Sequence, residues 1–441
     1  MRLNVQRQSK ISRREFLSRI GRAGLSVGAV ALGGRSWAAQ PADQPSAPRN
    51  LRIGSTTKTV LGQNDFQYLG AFRLPSVSGG IGTSWGHGLT HRYLSGQLRF
   101  FSTCSRVQGT PTSQVYEAAY PGYGLSNYPE AEIARHWGDI YHGKRWNDVA
   151  GRADDGYVYG LYWDSLGGRL YWNYGDSYNA SAGNNCCLGA STLNDSDGSS
   201  VAYGAWRMGA SRGCKMAQGG MVSIPSWFAS QYTSGRRLAI GFGGRASAQS
   251  VGPSSDGPAL AAIDPPAGSF QSDLPGYTQL CGYPCPDQYC KRPGDYTDDI
   301  GGRGPWGDIG GWQWMDFIYQ TGVWIDTPAK HGFMIMPFLG HGRIWYQSSD
   351  IHSERSKHWW FVIDPMDLAS VAKGTKNQSD VVPVSWWEIQ YPTYSYPLGS
   401  ADGEPYQTAL GATFDATASR LYVMFPDQAT WQPTVAVYQV S

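Results

Sequence analysis

The stretch Gly160-Leu-Tyr-Trp-Asp-Ser-Leu-Gly-Gly-Arg-Leu-Tyr-Trp-Asn173 has the pattern of a β-hairpin, with alternating apolar residues on both sides of a polar turn. The same pattern occurs at residues 88–101 and 411–424, and looser copies begin at Gly220 and Gly322. The five starts are on average about 81 residues apart, which is enough for a four-stranded blade with long loops. Hairpins repeated at this spacing predict an all-β fold with radially arranged blades, a β-propeller.

Five blades are visible in the sequence, and six or seven remain open because residues 246–321 and 347–410 could contain degenerate copies. Strand-like segments at 66–75 and 434–440 flank the first and the last hairpin. A propeller commonly completes its final blade with strands from both termini, which removes an exposed edge. We therefore expect a closed propeller domain over residues 61–441, with loop insertions at about 107–150 and 246–310.

The N-terminus has the order of an export signal. Arg13 and Arg14 precede a weakly apolar run at 23–34, and Ser36-Trp37-Ala38 is a small-x-small cleavage site. This resembles a twin-arginine signal, so we expect a signal peptide at 1–38, a linker at 39–60, export by the twin-arginine machinery, and a periplasmic or extracellular location. The apolar run is too short for a membrane anchor, and we expect no membrane span after the signal is removed.

Composition excludes some partners once the signal is set aside. The whole chain has 36 Lys+Arg and 34 Asp+Glu, but residues 1–38 contain eight of the cations and one of the acids. The remaining 28 positive and 33 negative groups give a net charge of about −5. Without a basic stripe, we expect no nucleic-acid binding.

The seven cysteines suit an oxidising compartment, where disulfides form. Cys281, Cys285 and Cys290 lie in a stretch rich in proline and glycine, without a Cys-x-x-Cys pair or a nearby histidine. This spacing favours a loop-stapling disulfide over a metal site. We assign no metal ligands and no cofactor, and leave a structural metal ion open.

Propeller topology predicts where functional side chains would gather. Residues just before each inner strand, and those just after the strand that returns from it, lie at one end, around the mouth of a central funnel. The predicted catalytic residues at these positions are His87, Asp155, Asp176, Tyr178, Asp316, His341 and Glu404. The predicted substrate-binding residues are Trp85, Arg106, Arg245, Trp314, Arg343 and Trp345. His91 is assigned to a hairpin turn and left out. Such a mixture can hold a sugar by stacking and hydrogen bonds, and can supply a general acid and a general base.

This layout and these residue types, over residues 60–441, resemble the secreted propellers that cut polysaccharides. In the arabinan-cleaving hydrolases, acidic residues from different blades serve as general acid and as base or nucleophile; the resemblance implies these roles for Asp155, Asp176, Asp316 and Glu404. In propeller polysaccharide lyases, histidine and tyrosine move the proton while arginine neutralises the uronate; the corresponding residues are His87, Tyr178, His341, Arg106 and Arg245. The resemblance implies an enzyme that cleaves a polysaccharide or oligosaccharide.

Two other classes of function remain open. The protein could be a non-catalytic propeller that binds glycan or an envelope protein through its aromatic surface. A redox enzyme would suit the twin-arginine route, but the sequence has no haem-attachment motif and no glycine-rich dinucleotide turn. Any single aspartate at a blade junction could also serve only to satisfy backbone groups.

Overall fold

The computed structural model describes residues 58–75, 88–103, 114–142, 156–176, 186–208, 219–242, 254–255, 259–264, 272–282, 284–285, 321–347, 350–393, 398–399, 409–427 and 432–441. The predicted signal and most of the predicted linker lie outside these residues. The described residues form 26 strands and two short α-helices, as expected for an all-β chain. Neither helix is long and apolar enough to cross a membrane, within the part of the chain that the structure describes.

Two strands near the N-terminus, β1 (Thr59–Val60) and β2 (Phe66–Arg73), join blades that are otherwise formed later in the chain. The first two blades follow them directly, and in each the four blade strands pair antiparallel, with the first strand innermost in the ring of blades. The strands of blade 1 are β3 (Leu89–Leu94), β4 (Gln97–Thr103), β5 (Val115–Ala119) and β6 (Ile133–Gly138). The strands of blade 2 are β7 (Gly156–Asp164), β8 (Arg169–Asp176), β9 (Cys186–Leu193) and β10 (Ser200–Arg207).

Blade 3 continues the pattern, with helix α1 (Ser226–Tyr232) in the connection between its first two strands. A short strand from its outer part pairs in parallel with β10, and two others pair with each other. The strands of this region are β11 (Gly219–Ser223), β12 (Leu238–Phe242), β13 (Ser254–Ser255), β14 (Leu260–Ile263), β15 (Ser272–Asp273), β16 (Tyr277–Cys281) and β17 (Pro284–Cys285). The blade itself consists of β11, β12, β14 and β16.

Blade 4 consists of β18 (Thr321–Asp326), β19 (Lys330–Met336), the second half of β21 (Asp350–Ile363) and β22 (Ser385–Glu388). The first half of β21 pairs with β20 (Phe338–Gln347) in a long hairpin, which β23 (Leu398–Gly399) joins as a third strand. Helix α2 (Pro365–Ala372) follows β21. Strand β1 lies parallel to β19, with Val60 opposite His331.

Blade 5 is completed by both ends of the chain. Its strands are β24 (Gly411–Asp415), β25 (Arg420–Pro426) and β26 (Pro433–Val440), and its outermost strand is β2. Phe66 is opposite Val440 in the antiparallel register. The sequence prediction that strands from both termini close the propeller is confirmed.

The ring of blades is closed by packing as well as by strand pairing. Each inner strand contacts the next, in the cycle β3, β7, β11, β18, β24 and back to β3. Five clusters of buried apolar side chains fill the five boundaries between neighbouring blades. Because burial of apolar surface is the main favourable contribution to folding, these clusters hold the ring together.

The glycines that begin the repeated hairpins permit a close approach of neighbouring inner strands. A Cβ on Gly411 would lie 2.5 Å from the backbone nitrogen of Leu89, and one on Gly88 would lie 2.8 Å from that of Leu161. The Gly88 nitrogen also donates a hydrogen bond to the Leu410 carbonyl, at 2.8 Å. The repeated glycine is therefore a consequence of tight packing at the centre of the ring.

The outer strands of blades 1 and 3 lie where the sequence analysis placed loop insertions. Residues 107–150 contain β5 and β6, and residues 246–310 contain β14 and β16. These strands are short and have no leading glycine, and β6 is largely exposed, so their alternation is weak in sequence. The strand-like segments 359–364 and 384–388 contribute to the third and fourth strands of blade 4, so the number of blades is five. His91 lies within β3, opposite Phe100, and the turn is at Ser95 and Gly96.

A loop from blade 1 covers the outer edge of blade 5. The backbones of Ala71 in β2 and Gly124 exchange two hydrogen bonds of 2.9 Å, and Arg73 forms a parallel bridge, donating to the Pro129 carbonyl and accepting from the Ala131 N–H. An uncovered edge strand invites pairing with another chain, and this loop removes that risk at the point where the two ends of the chain meet.

Candidate functional site at the upper end

The two ends of the propeller are defined by the direction of the inner strands. Gly411 lies against Leu89 while Asp415 contacts Tyr93, so β24 and β3 run in the same direction. We call the end where the inner strands begin the upper end, and the opposite one the lower end. The connection before each first strand and the connection between second and third strands belong to the upper end, and most of their residues lie outside those described.

Most of the predicted site residues fall in these upper-end connections and lie outside the described residues. They are His87, Asp155, Tyr178, Asp316 and Glu404 of the catalytic set, and Trp85, Arg106, Arg245 and Trp314 of the substrate-binding set. Their roles stay predictions. The structure defines a backbone position for the other four, Asp176, His341, Arg343 and Trp345.

Asp176 is the last residue of β8 and is opposite Gly156, at the upper end of blade 2. The strand below it is firmly held. Trp172 is fully buried and donates its indole N–H to the Ser191 hydroxyl at 3.1 Å, and Tyr141 packs edge-on against the indole with the ring centroids 4.9 Å apart. A carboxylate at the end of such a strand would be carried by a rigid support, which acid–base catalysis requires.

Asp427 holds the equivalent place in blade 5, directly after β25. It is 5% exposed, and its backbone N–H donates to the Gln432 carbonyl at 2.9 Å. The sequence pattern already puts Asp427 after a returning strand, at the predicted mouth of the funnel, although it is not among the predicted catalytic or substrate-binding residues. Blades 2 and 5 both adjoin blade 1, so Asp176 and Asp427 occupy strand ends at the upper end on either side of that blade.

His341, Arg343 and Trp345 all lie on β20, in the hairpin that continues blade 4 beyond its upper end. His341 is opposite Arg355, and Trp345 is opposite His352. This hairpin has no clear pattern in the sequence, because Gly340, Gly342 and a register shift between His341 and Ile344 interrupt the alternation of β20.

Aspartates at the lower end serve the scaffold. Asp164, Asp326 and Asp415 end the inner strands of blades 2, 4 and 5. Asp415 accepts a hydrogen bond from the Tyr93 hydroxyl of blade 1 at 2.7 Å, and another from the Thr417 backbone N–H at 2.9 Å. These carboxylates bind their own turns and the neighbouring blade, which is the structural role weighed in the sequence analysis.

The other two lower-end aspartates confirm this role. Asp164 accepts a hydrogen bond from the Leu166 N–H at 3.1 Å and lies 3.4 Å from the guanidinium of Arg237 in blade 3. Asp326 forms an ion pair with Lys58 at 2.6 Å and accepts a hydrogen bond from the indole of Trp227 at 3.1 Å. Carboxylates with these commitments are poorly suited to act as a general acid or base.

A buried ionic cluster joins blades 1 and 2 below the funnel. The Arg92 guanidinium makes two hydrogen bonds of 2.8 Å with the carboxylate of Glu117, and also binds Asp195 at 2.6 and 3.0 Å. Glu117 is fully buried and also accepts the indole N–H of Trp137 at 3.0 Å. Burial lowers the pKa of Arg92, but both carboxylates outweigh this and raise it overall, so the guanidinium stays charged.

A second polar contact lies between the inner strands of blades 5 and 1. His91 Nδ1 is 2.8 Å from the Thr413 hydroxyl. Burial lowers the pKa of His91, and the Asp415 carboxylate opposes part of that shift. The imidazole is therefore held neutral within the wall of the ring, as a structural residue rather than a proton carrier at the funnel.

The described residues contain no group of three or more His, Cys, Asp or Glu side chains close enough to hold a metal ion. Of the predicted cysteine cluster, Cys281 is buried at the end of β16, Cys285 is the last residue of β17, and Cys290 is outside the described residues. The disulfide expected among them stays a prediction.

Comparison with known proteins returns no protein family whose model matches the sequence and no curated protein similar to it. Solved structures similar to it include a GH43_1 enzyme from Xanthomonas citri, with a TM-score of 0.38, 9% identity, and coverage of 81% of this chain and 88% of that one. An exo-1,5-α-L-arabinanase from a bovine ruminal metagenomic library has a TM-score of 0.37 and 11% identity, and the match covers 81% of this chain and 97% of that one.

A third is a GH43 β-xylosidase/α-arabinofuranosidase from a compost microbial metagenome, in complex with xylotriose, with a TM-score of 0.40, 10% identity, and coverage of 84% and 94%. Similarities of this size carry no argument about what the chain does. The five-bladed fold follows from the strand pairing and the ring of inner strands.

Proposed function

We propose that the protein is an exported carbohydrate-active enzyme that cleaves a polysaccharide at the upper end of the propeller by acid–base chemistry. The observation that carries this proposal is the contrast between the two ends of one hairpin. Asp164, at the lower end, is bound to its own turn and to Arg237, whereas Asp176 ends the returning strand at the end where the sequence predicts the other candidate residues.

The topology supports this proposal. Predicted carboxylates belong to different blades, as a hydrolase needs for a separate general acid and a base or nucleophile about 5–10 Å apart. Asp176 is such a residue, and Asp427 provides an equivalent carboxylate in blade 5. The hairpin of blade 4 adds a histidine, an arginine and a tryptophan, the types that move protons, bind anionic sugars and stack on sugar rings.

Hydrolase and lyase chemistry divide the candidates differently. A hydrolase would protonate the glycosidic oxygen with one carboxylic acid while a second carboxylate activates water or attacks the sugar. A lyase would use a base such as His341 or Tyr178 to remove the proton next to the uronate carboxylate, and an arginine to stabilise the charge that develops. The electron pair would then form a carbon–carbon double bond as the glycosidic C–O bond breaks, and the departing oxygen would take up a proton from an acid.

The test is an activity assay of the purified protein on linear arabinan, polygalacturonate, alginate and hyaluronan, with two readouts. New reducing ends alone would identify a hydrolase, whereas reducing ends together with ultraviolet absorbance of an unsaturated uronate would identify a lyase. If no polymer yields a product but the protein still binds glycan, the protein is a glycan-binding propeller and not an enzyme.

A further inference from the structure

The carboxylates and the Arg/Lys residues in the first half of β21 occupy positions of opposite parity. Asp350 and Glu354 occupy even-numbered positions, and Arg355 and Lys357 occupy odd-numbered ones. Successive residues of a strand point to opposite faces, so this order separates the acids from the bases. One face of the hairpin therefore carries the cationic positions and the other carries the acidic ones.

The register of the hairpin extends the cationic face to the neighbouring strand β20. His341 of β20 is opposite Arg355, and Leu339 is opposite Lys357. Directly opposed residues share a face, so His341 belongs with the two cations. On the other side Arg355 is opposite Gly399 of β23, which has no side chain to add at that position. We call the positions His341, Arg355 and Lys357 the cationic face.

The contacts of the second half of β21 show on which side of blade 4 this face lies. Trp359 packs with the apolar cluster between blades 3 and 4, whereas Trp360 belongs to the cluster between blades 4 and 5. Lys357 and Arg355 precede Trp359 by two and four residues. By the alternation of the strand they continue the side of blade 4 that meets blade 3, above the upper end of that boundary.

The cationic face differs in sign from the net charge of the protein. Without residues 1–38 the chain has a net charge of about −5, so its overall field repels an acidic polymer. Attraction of such a polymer would have to come from a local group of cations. Positions two residues apart on a strand are separated by about 7 Å, which allows one chain to present separate carboxylates to Arg355 and Lys357.

We propose that the cationic face binds the carboxylates of an acidic polysaccharide, which makes a uronate-containing glycan the substrate class of the upper-end site. This inference rests on the proposed function and narrows it. Arg355 would contribute a planar fork that fits a carboxylate, Lys357 a second positive charge, and His341 a hydrogen-bond donor.

The test compares two double variants of the full-length protein by affinity gel electrophoresis. Arg355→Gln with Lys357→Gln removes two charges from the cationic face. Lys373→Gln with Lys376→Gln removes the same number just beyond α2, at the lower end of the same blade. Each is run through gels containing polygalacturonate, alginate, hyaluronan or neutral arabinan, after thermal unfolding has shown that it is folded.

We expect at least one acidic polymer to retard the wild type. The upper-end variant, Arg355→Gln with Lys357→Gln, should bind that polymer about tenfold more weakly. The lower-end variant should match the wild type, and retardation by arabinan should be unaffected in both. Equal weakening of the two variants, equal loss on arabinan, or a wild type that no acidic polymer retards would overturn it. Charge-dependent binding without cleavage of any polymer would support the cationic face while refuting the enzyme.

Discussion

Asp164 and Asp176 lie at opposite ends of the hairpin formed by β7 and β8, and they illustrate how the two ends of the propeller differ. Asp164 is buried, and aspartates recur at the same place in blades 4 and 5. Each binds its own turn or a neighbouring blade, so the repeated acid belongs to the architecture. Asp176 shares its place only with Asp427 of blade 5, and the candidates around it differ from blade to blade.

This difference gives a rule for propellers with a degenerate repeat. Residues that recur at one position in several blades maintain contacts between blades, whereas function is sought among residues that interrupt the repeat. The long hairpin of blade 4 is the largest such interruption among the described residues. The rule can be tested by paired substitutions, one at each end or one on each side of a contact.

The largest contrast should come from the two aspartates of the blade 2 hairpin. We expect Asp176→Asn to lower kcat by about 100-fold or more, because loss of an acid or base typically costs about 10²–10⁴ in rate. Asp164→Asn should keep kcat and lose at most about 1 kcal/mol of stability, since an amide oxygen can still accept from Leu166. Steady-state kinetics and thermal unfolding of both variants measure this. Equal activities would remove Asp176 from the site.

The buried ionic cluster at the boundary of blades 1 and 2 should give the next largest effect. We expect Arg92→Ala to lower the free energy of unfolding by about 3–5 kcal/mol, because it leaves the fully buried Glu117 without its main partner. Asp195→Ala should cost less than about 1 kcal/mol, since that carboxylate is 38% exposed. Denaturant unfolding compares the two, and similar losses would show that the cluster is not buried as described.

Alanine substitutions at two glycines with the same φ distinguish the cost of backbone strain from the cost of steric crowding. Gly88 and Gly96 both have φ of +79°, but a Cβ at Gly88 meets Leu161 while one at Gly96 meets nothing within 4 Å. Gly96→Ala should cost about 1 kcal/mol from backbone strain alone. Gly88→Ala should cost about 1–3 kcal/mol more, because the inner strands must separate. Equal costs, measured by denaturant unfolding, would contradict the close approach at the ring centre.

The smallest contrast concerns two histidines of blade 4. Burial lowers the pKa of His358 from 6.5 to about 3. Between these values the unfolded chain takes up a proton that the folded one does not, so stability falls as pH falls below 6.5, by about 1.4 kcal/mol per unit. Burial also lowers the pKa of His331 at the lower end, but Asp364 and Asp326 oppose the shift.

Replacing each histidine by glutamine therefore separates their contributions. His358→Gln should flatten the dependence of the unfolding temperature on pH between 5 and about 6.5. His331→Gln should change that slope less. A His358→Gln variant with the wild-type slope would show that this imidazole is not held neutral in the folded protein.

Some of this structure could be read from the sequence, and the reasons are physical. Inner strands bury both faces and begin with glycine at a tight centre, so the hairpins starting at Gly88 and Gly411 stand out. Exposed outer strands such as β6 lack that signal, and two glycines and a register shift hide β20. Contacts such as Arg92 with Asp195, 103 residues apart, come only from the packing of blades.

The candidate site was predicted only in outline. Topology assigns strand ends to the upper or lower end, which is enough to place Asp176 and the residues of β20. It also places Asp427 at that end, but it does not predict that this residue is buried, because the burial depends on the fold of blade 5.

The central claim is that ligand engages the upper end while the lower end only holds the ring together. Hydrogen exchange with and without saturating oligogalacturonide or arabino-oligosaccharide tests it directly. We expect slower exchange in peptides covering 104–113, 177–185 and 338–357, and no change in those covering 120–132, 194–199 and 416–419. Protection confined to the lower-end peptides, or protection nowhere with either sugar, would contradict the account.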